Sequence, residues 1–184
     1  MVIDEKGLLA LMKDAFRKRS TGYKVTCRVT ERHAVEIALA GPGWIAVIER
    51  EHTPRKVLAL IVEHLGDVPM VGQAFQVQEK QTQAEIFEMA VPELPLVQLD
   101  KTNVRRTQVA YKGDQIWQRS DNLAVYMVGE KMEDFLANYN VPLSMAENGM
   151  FYTAGAVSRV YISPVPVMHN EDTALNHLAK LQWV

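Results

Sequence analysis

The chain has 184 residues, 48% of them apolar and 23% charged, with a formal net charge of −2. That composition is too apolar and too evenly charged for a disordered chain, and the length fits one domain or two small ones. No apolar run approaches the roughly 18 residues of a membrane span. The first residues lack the basic flank and apolar core of a signal peptide, and the single cysteine, Cys27, excludes an intramolecular disulfide and a thiolate metal cluster. A cytoplasmic globular protein is the expectation.

The chain opens on a helix. Asp4 stands where a cap belongs, and Leu8, Leu11, Met12, Ala15 and Phe16 fall on one face at a period of about 3.6 residues. Arg17, Lys18 and Arg19 suit its last turn, and Gly22 suits its stop. Alternation then predicts a strand with Tyr23, Val25, Cys27 and Val29 inward, followed by one around Val35, Ile37 and Leu39. Gly41-Pro42-Gly43 makes a turn into the continuously apolar Trp44 to Ile48, which reads as a central strand. Thr53-Pro54 reads as a cap and first helical position, Val57, Leu60, Ile61, His64 and Leu65 give that helix its stripe, and Gly66 ends it. Phe75 and Val77 suggest a strand, while Ala84, Phe87 and Val91 sit at helical spacing.

Pro92-Glu93-Leu94-Pro95 is the most linker-like passage, and it divides a first unit, 1–92, from a second, 104–184, with 93–103 between them. Three strands follow, at Val104 to Tyr111, Gln115 to Arg119 and Leu123 to Val128, then a helix from Glu130 to Tyr139. Strands at Phe151-Tyr152 and Val157 to Ile162 precede a last helix capped by Asn170, with Ala174, Leu175, Leu178 and Leu181 inward and Trp183 near its end. Two β-β-β-α units, near 23–66 and 104–140, suggest an internal duplication within one compact α+β domain, a mainly antiparallel sheet with helices packed on it.

Chemistry-bearing residues are scattered. None of the five histidines forms a His-x-x-x-His pair, and His64 fits the dipole role at a helix C-terminus. Cys27 reads as a small buried hydrophobe, with Arg28 and Arg32 as cations able to lower its pKa. Glu49 and Glu51 share a strand end, where alternating charge reads as a solvated edge. No nucleophile elbow, phosphate loop or dinucleotide fingerprint occurs, and no catalytic residue, cofactor or metal set is assigned. Lys24, Arg28 and Arg32 recur at even spacing, as an anion or nucleic-acid face would. The first 92 positions nevertheless balance twelve basic against twelve acidic residues, so nucleic acid is not the expected partner. Phe151, Tyr152, Val165, Leu181 and Trp183 are the candidate interface.

Gly43-Trp44-Ile45-Ala46, Leu58-Ala59-Leu60 and Leu65-Gly66-x-x-Pro69-x-x-Gly72 are similar to the strand–helix portion of the chorismate lyase-like ligand-binding fold. The likeness is scattered over about half of the chain. It places Arg105 to Asn122 at that fold's arginine-bearing hairpin, a catalytic arginine near Arg32 after a shift of register, and Ser120 or Asp121 where that fold has glutamate. Three functions are carried forward. The first is a non-enzymatic interaction or accessory protein with a protein partner or a second copy. The others are a small-molecule-binding or lyase-like domain with a pocket between sheet and helices, and a weak nucleic-acid binder.

Overall fold

The structure, a computed structural model, describes residues 3–17, 22–79, 103–136, 143–145, 149–167, 175 and 177. Helix α1 spans Glu5–Arg17. The Asp4 carboxylate accepts hydrogen bonds from the backbone N–H groups of Gly7 at 2.9 Å and Lys6 at 3.2 Å, satisfying two donors that a helix start leaves bare. Strands β1 (Tyr23–Val29), β2 (Val35–Gly41) and β3 (Trp44–Glu49) form an antiparallel meander. A 3-10 turn at Arg50–His52 leads into α2 (Arg55–Leu65), and β4 (Ala74–Val77) returns to pair antiparallel with the outer edge of β1.

The second run follows the same route. Strands β5 (Asn103–Tyr111), β6 (Asp114–Arg119) and β7 (Val125–Val128) form a meander. They lead through the single turn of α3 (Glu130–Glu133) to β8 (Leu143–Met145), which pairs antiparallel with β5. The hairpin of β9 (Phe151–Ala154) and β10 (Ser158–Ile162) then fills the gap, β9 against β8 and β10 against β3. Strand β11 (Val165–Pro166) closes on β7. One eleven-stranded sheet results, in the order β11-β7-β6-β5-β8-β9-β10-β3-β2-β1-β4, with every described pairing antiparallel. The architecture is sheet-dominant. Among the described residues no helix is long and apolar enough to cross a membrane.

The main core lies between the sheet and helices α1, α2 and α3. Leu8, Met12, Val57 and Ile61 pack onto Val25, Ile37, Leu39, Trp44 and Val160, and the same cluster continues to Trp117, Phe135 and Phe151 in the second run. The opposite face of the sheet, here the far face, carries two smaller clusters. Ala38, Val47, Tyr152 and Tyr161 form one, and Ile116, Val125, Val167 and Leu175 the other. Where β5 and β6 slip register between Arg106 and Ala110, the Gln115 amide donates to the Thr107 and Val109 carbonyls at 2.6 and 2.7 Å. The Thr107 hydroxyl donates to the Ile116 carbonyl at 2.9 Å. Side chains thereby replace the ladder bonds that a bulge gives up.

Several expectations are corrected. Thr53 does not cap α2: its hydroxyl donates to the Glu49 carbonyl at 3.1 Å, closing the 3-10 turn, and Pro54 stands at the cap without a side-chain bond. Helix α3 is one turn long, because Phe135 and Leu136 leave the helical path to enter the core and Leu136 bridges to Ile3. Gly66 does end α2 as expected, in the left-handed conformation with its N–H on the Val62 carbonyl. The expected helix around 84–91 and the linker at 93–103 lie outside the described residues, apart from Asn103 at the start of β5. Of the last helix only Leu175, buried against Ile116 and Val125, and the exposed His177 are described.

Helix α1 is the element common to both runs. Exposed ion pairs join its Glu5 to Lys56 of α2 at 3.3 Å and its Asp14 to Lys131 of α3 at 3.0 Å. Such pairs contribute little. The tighter link is backbone to backbone: a Cβ added at Gly7 would overlap the carbonyl of Asp134 and crowd the Cα of Phe135. Gly7→Ala should therefore cost about 1–3 kcal/mol despite the better helix propensity of alanine, read as a lowered urea midpoint. Trp44, 1% exposed and edge-on to Phe135 with ring centroids 5.9 Å apart, is the corresponding side-chain anchor. Trp44→Ala should cost roughly 3–5 kcal/mol in the same measurement, and a variant melting like wild type would contradict this placement.

Candidate functional site

The basic face expected from Lys24, Arg28 and Arg32 is only partly a strand face. Lys24, Thr26 and Arg28 do share the far face of β1, but the strand ends at Val29. Arg32 lies in the turn to β2, exposed and off the sheet. Arg28 is not a free cation. Its Nη2 lies 3.3 Å from Oε2 of Glu36 on β2, its direct cross-strand partner. Arg159 of β10 reaches the same oxygen at 2.8 Å.

Glu36 is only 5% exposed, so its charge has to be compensated inside the protein, and two guanidinium groups converge on it. Tyr161, two residues along β10 from Arg159, completes the group. Burial pushes its phenol up to about 12, against the opposing pull of Arg159 and Arg28, so it stays neutral at physiological pH. The side chains of Arg28 and Arg159 remain 30% and 29% exposed. The Arg28 Nε–H is buried without a hydrogen-bond partner. Glu49 faces Glu36 in register across β2 and β3, but its carboxylate is turned to His52, 3.2 Å away.

Other acid–base groups serve the frame. The Glu133 carboxylate, buried beneath α3, accepts hydrogen bonds from the Trp117 indole at 2.9 Å and Arg106 Nε at 3.2 Å. Burial raises its pKa, and those two donors oppose the rise. His64 in the last turn of α2 stacks on Phe16 of α1, with ring centroids 3.7 Å apart, and shares a 3.0 Å hydrogen bond with the Tyr23 hydroxyl. Burial, with Glu63 adding to it, carries the Tyr23 phenol far above its usual range, so the hydroxyl keeps its proton and suits Nδ1 of a neutral imidazole.

Cys27 is fully buried, and burial raises its thiol against the opposing effect of Arg50. The cation beside it is therefore Arg50, not Arg28 or Arg32. Those two side chains belong to the far face and the turn, whereas Cys27 points to the helix side. Glu49, Glu51 and His52 bring three metal-capable atoms within 4.8 Å of one another at a mostly exposed corner.

The residues expected at an interface separate. Phe151 is fully buried, edge-on to Tyr126 at 5.2 Å, and Tyr152 is buried against Tyr161 on the far face; both fill cores. Val165 is exposed on β11, and Leu181 and Trp183 lie outside the described residues. The arginine hairpin implied by the chorismate lyase-like likeness is occupied by internal pairs, Arg106 with Glu133 and Arg119 with Asp121 at 2.6 Å. No family model matches this chain, and neither the curated proteins nor the solved structures contain a match.

His64 makes a measurable prediction. Burial lowers its folded-state pKa below 6.5, with Lys13 acting in the same direction and Glu63 against it. The unfolded chain then takes up a proton before the folded one does, so this group favours folding above pH 6.5 and loses that contribution as pH falls through the folded value. The urea midpoint should drop between pH 7.5 and pH 5, as about the range over which an imidazole titrates. His64→Gln should flatten that part of the profile.

Proposed function

We propose that this chain is a non-enzymatic, cytoplasmic accessory protein that works by holding a protein partner. The observation that carries the reading is a corner where apolar side chains stand in solvent. Val29 at the end of β1 and Met70 and Val71 in the turn before β4 are exposed, Met70 to 64%. The turn lies along β1, with Gly72 N–H donating to the Cys27 carbonyl at 2.8 Å and Cys27 N–H to the Gln73 carbonyl at 3.1 Å. The Gln73 side chain accepts from Met70 N–H at 2.8 Å, fixing the turn that presents both residues. A rigid apolar group in water is what a contact face requires.

The engagement of Glu36, Glu133 and His64 by internal partners supports binding over catalysis. The pairing of Arg28 with Glu36 supports a protein over nucleic acid as the partner. We also infer a tandem duplication. In each run the strand after the helix adds to the outer edge of the first strand, giving the matching orders β4-β1-β2-β3 and β8-β5-β6-β7.

A photo-crosslinking residue at position 70 in the intact protein, expressed in its own host, should give one defined adduct. The same residue at the exposed position 112 should not. Met70→Asp combined with Val71→Asp should leave the melting temperature unchanged and abolish contact. Light scattering distinguishes a second copy, seen as a concentration-dependent doubling of mass, from a different protein. A monomer with no adduct above the control would overturn the proposal.

A further inference from the structure

We infer that Arg28 and Arg159 form a carboxylate-binding site on the far face of the sheet, with Glu36 as a built-in template that holds the two guanidinium groups side by side. This is independent of the apolar corner, which begins at the opposite face of β1.

The argument starts from charge. Two arginines converge on one carboxylate oxygen, so the trio retains one positive charge in a place where Val47, Tyr152 and Tyr161 limit the water around it. Each guanidinium has five N–H donors, and Glu36 takes one from each. Arg159 is also hydrogen-bonded to Tyr161, while the Arg28 Nε–H is buried and unmatched. That buried donor is a cost to the fold, and an incoming acceptor meets the solvent-facing part of each arginine side chain.

The geometry favours a ligand over a purely structural staple. A staple is most economical with one cation per carboxylate, and the second arginine here comes from β10, beyond the intervening β3. Both arginines keep nearly a third of their side chains in solvent. Glu49 of β3, in register with Glu36, is directed to His52.

The charge balance also selects the ligand. A carboxylate neutralises the single surplus charge and can take parallel N–H donors from a guanidinium fork, whereas a phosphate dianion would overshoot it. The carboxylate can belong to a free organic acid or to an aspartate or glutamate of another protein.

The test is titration of the intact protein with acetate, with an acetylated and amidated glutamate peptide, and with inorganic phosphate. The arginine Nε–H resonances are followed by NMR. Saturable, millimolar shifts of Arg28 and Arg159 are expected with acetate and peptide, at about tenfold lower affinity for phosphate. Tighter binding of the peptide assigns the ligand to a protein side chain, and equal binding assigns it to a free acid. Arg159→Lys keeps the charge but loses the fork, and should weaken binding about tenfold. Glu36→Gln removes the charge that holds the two guanidinium groups side by side and should weaken it by a similar factor, while Lys56→Gln on α2 should change nothing. Absence of saturable shifts, phosphate binding as tightly as acetate, or affinity unaffected by Arg159→Lys would overturn the assignment.

Discussion

The close approach of Gly7 to the backbone of Asp134 sets the geometry of the helical layer. A helix can meet another main chain at that distance only where it has no side chain, so α1 is held against the segment after α3 at one end. At its other end it meets α2 and β1 through Phe16, His64 and Tyr23. The sheet gains a common lid over both runs of strands. Trp44 and Phe135, which come from different runs, meet beneath it. Their interlocking is a packing consequence of where α1 is allowed to lie.

The two faces of the sheet then take different work. The helix side is filled by aliphatic and aromatic side chains, and the buried carboxylate of Glu133 there is matched by an indole and a guanidinium. The far face mixes small apolar clusters with the Arg28–Glu36–Arg159 group. A buried carboxylate held by partly exposed arginines is weak cement, since desolvation offsets most of the Coulombic gain. That weakness as a structural device is why its position on an accessible surface bears on recognition.

Much of the backbone was legible because its signals are local. The alternation of Tyr23, Val25 and Cys27, the apolar run from Trp44 and the glycine at 66 each act within a few residues, and the elements appear where those signals place them. Thr53-Pro54 misled because threonine serves equally well to close a 3-10 turn, and the choice depends on the Glu49 carbonyl behind it. Helix α3 stops early because Phe135 and Leu136 are drawn into the core, a tertiary demand that overrides a good helical stripe. The site was half visible. Lys24 and Arg28 share a face as their spacing implies, but the partner that defines the cluster, Arg159, lies on β10 and carries no local mark. His64 was readable as a dipole partner, not as the ring that stacks on Phe16 of α1 and bonds to the Tyr23 hydroxyl of β1.

The sheet order has a consequence for synthesis. Strand β3 is flanked by β2, made just before it, and by β10, which is complete only at Ile162. Strand β3, complete at Glu49, must therefore wait with one edge unpaired while more than a hundred further residues are translated. At the usual pace of about 5–20 residues per second that exposure lasts several seconds, long enough for a neighbouring nascent chain to pair in place of β10. Yield in the cell should consequently depend on the rate of translation through the second run, and on chaperones that occupy the β3 edge, independently of how stable the finished sheet is.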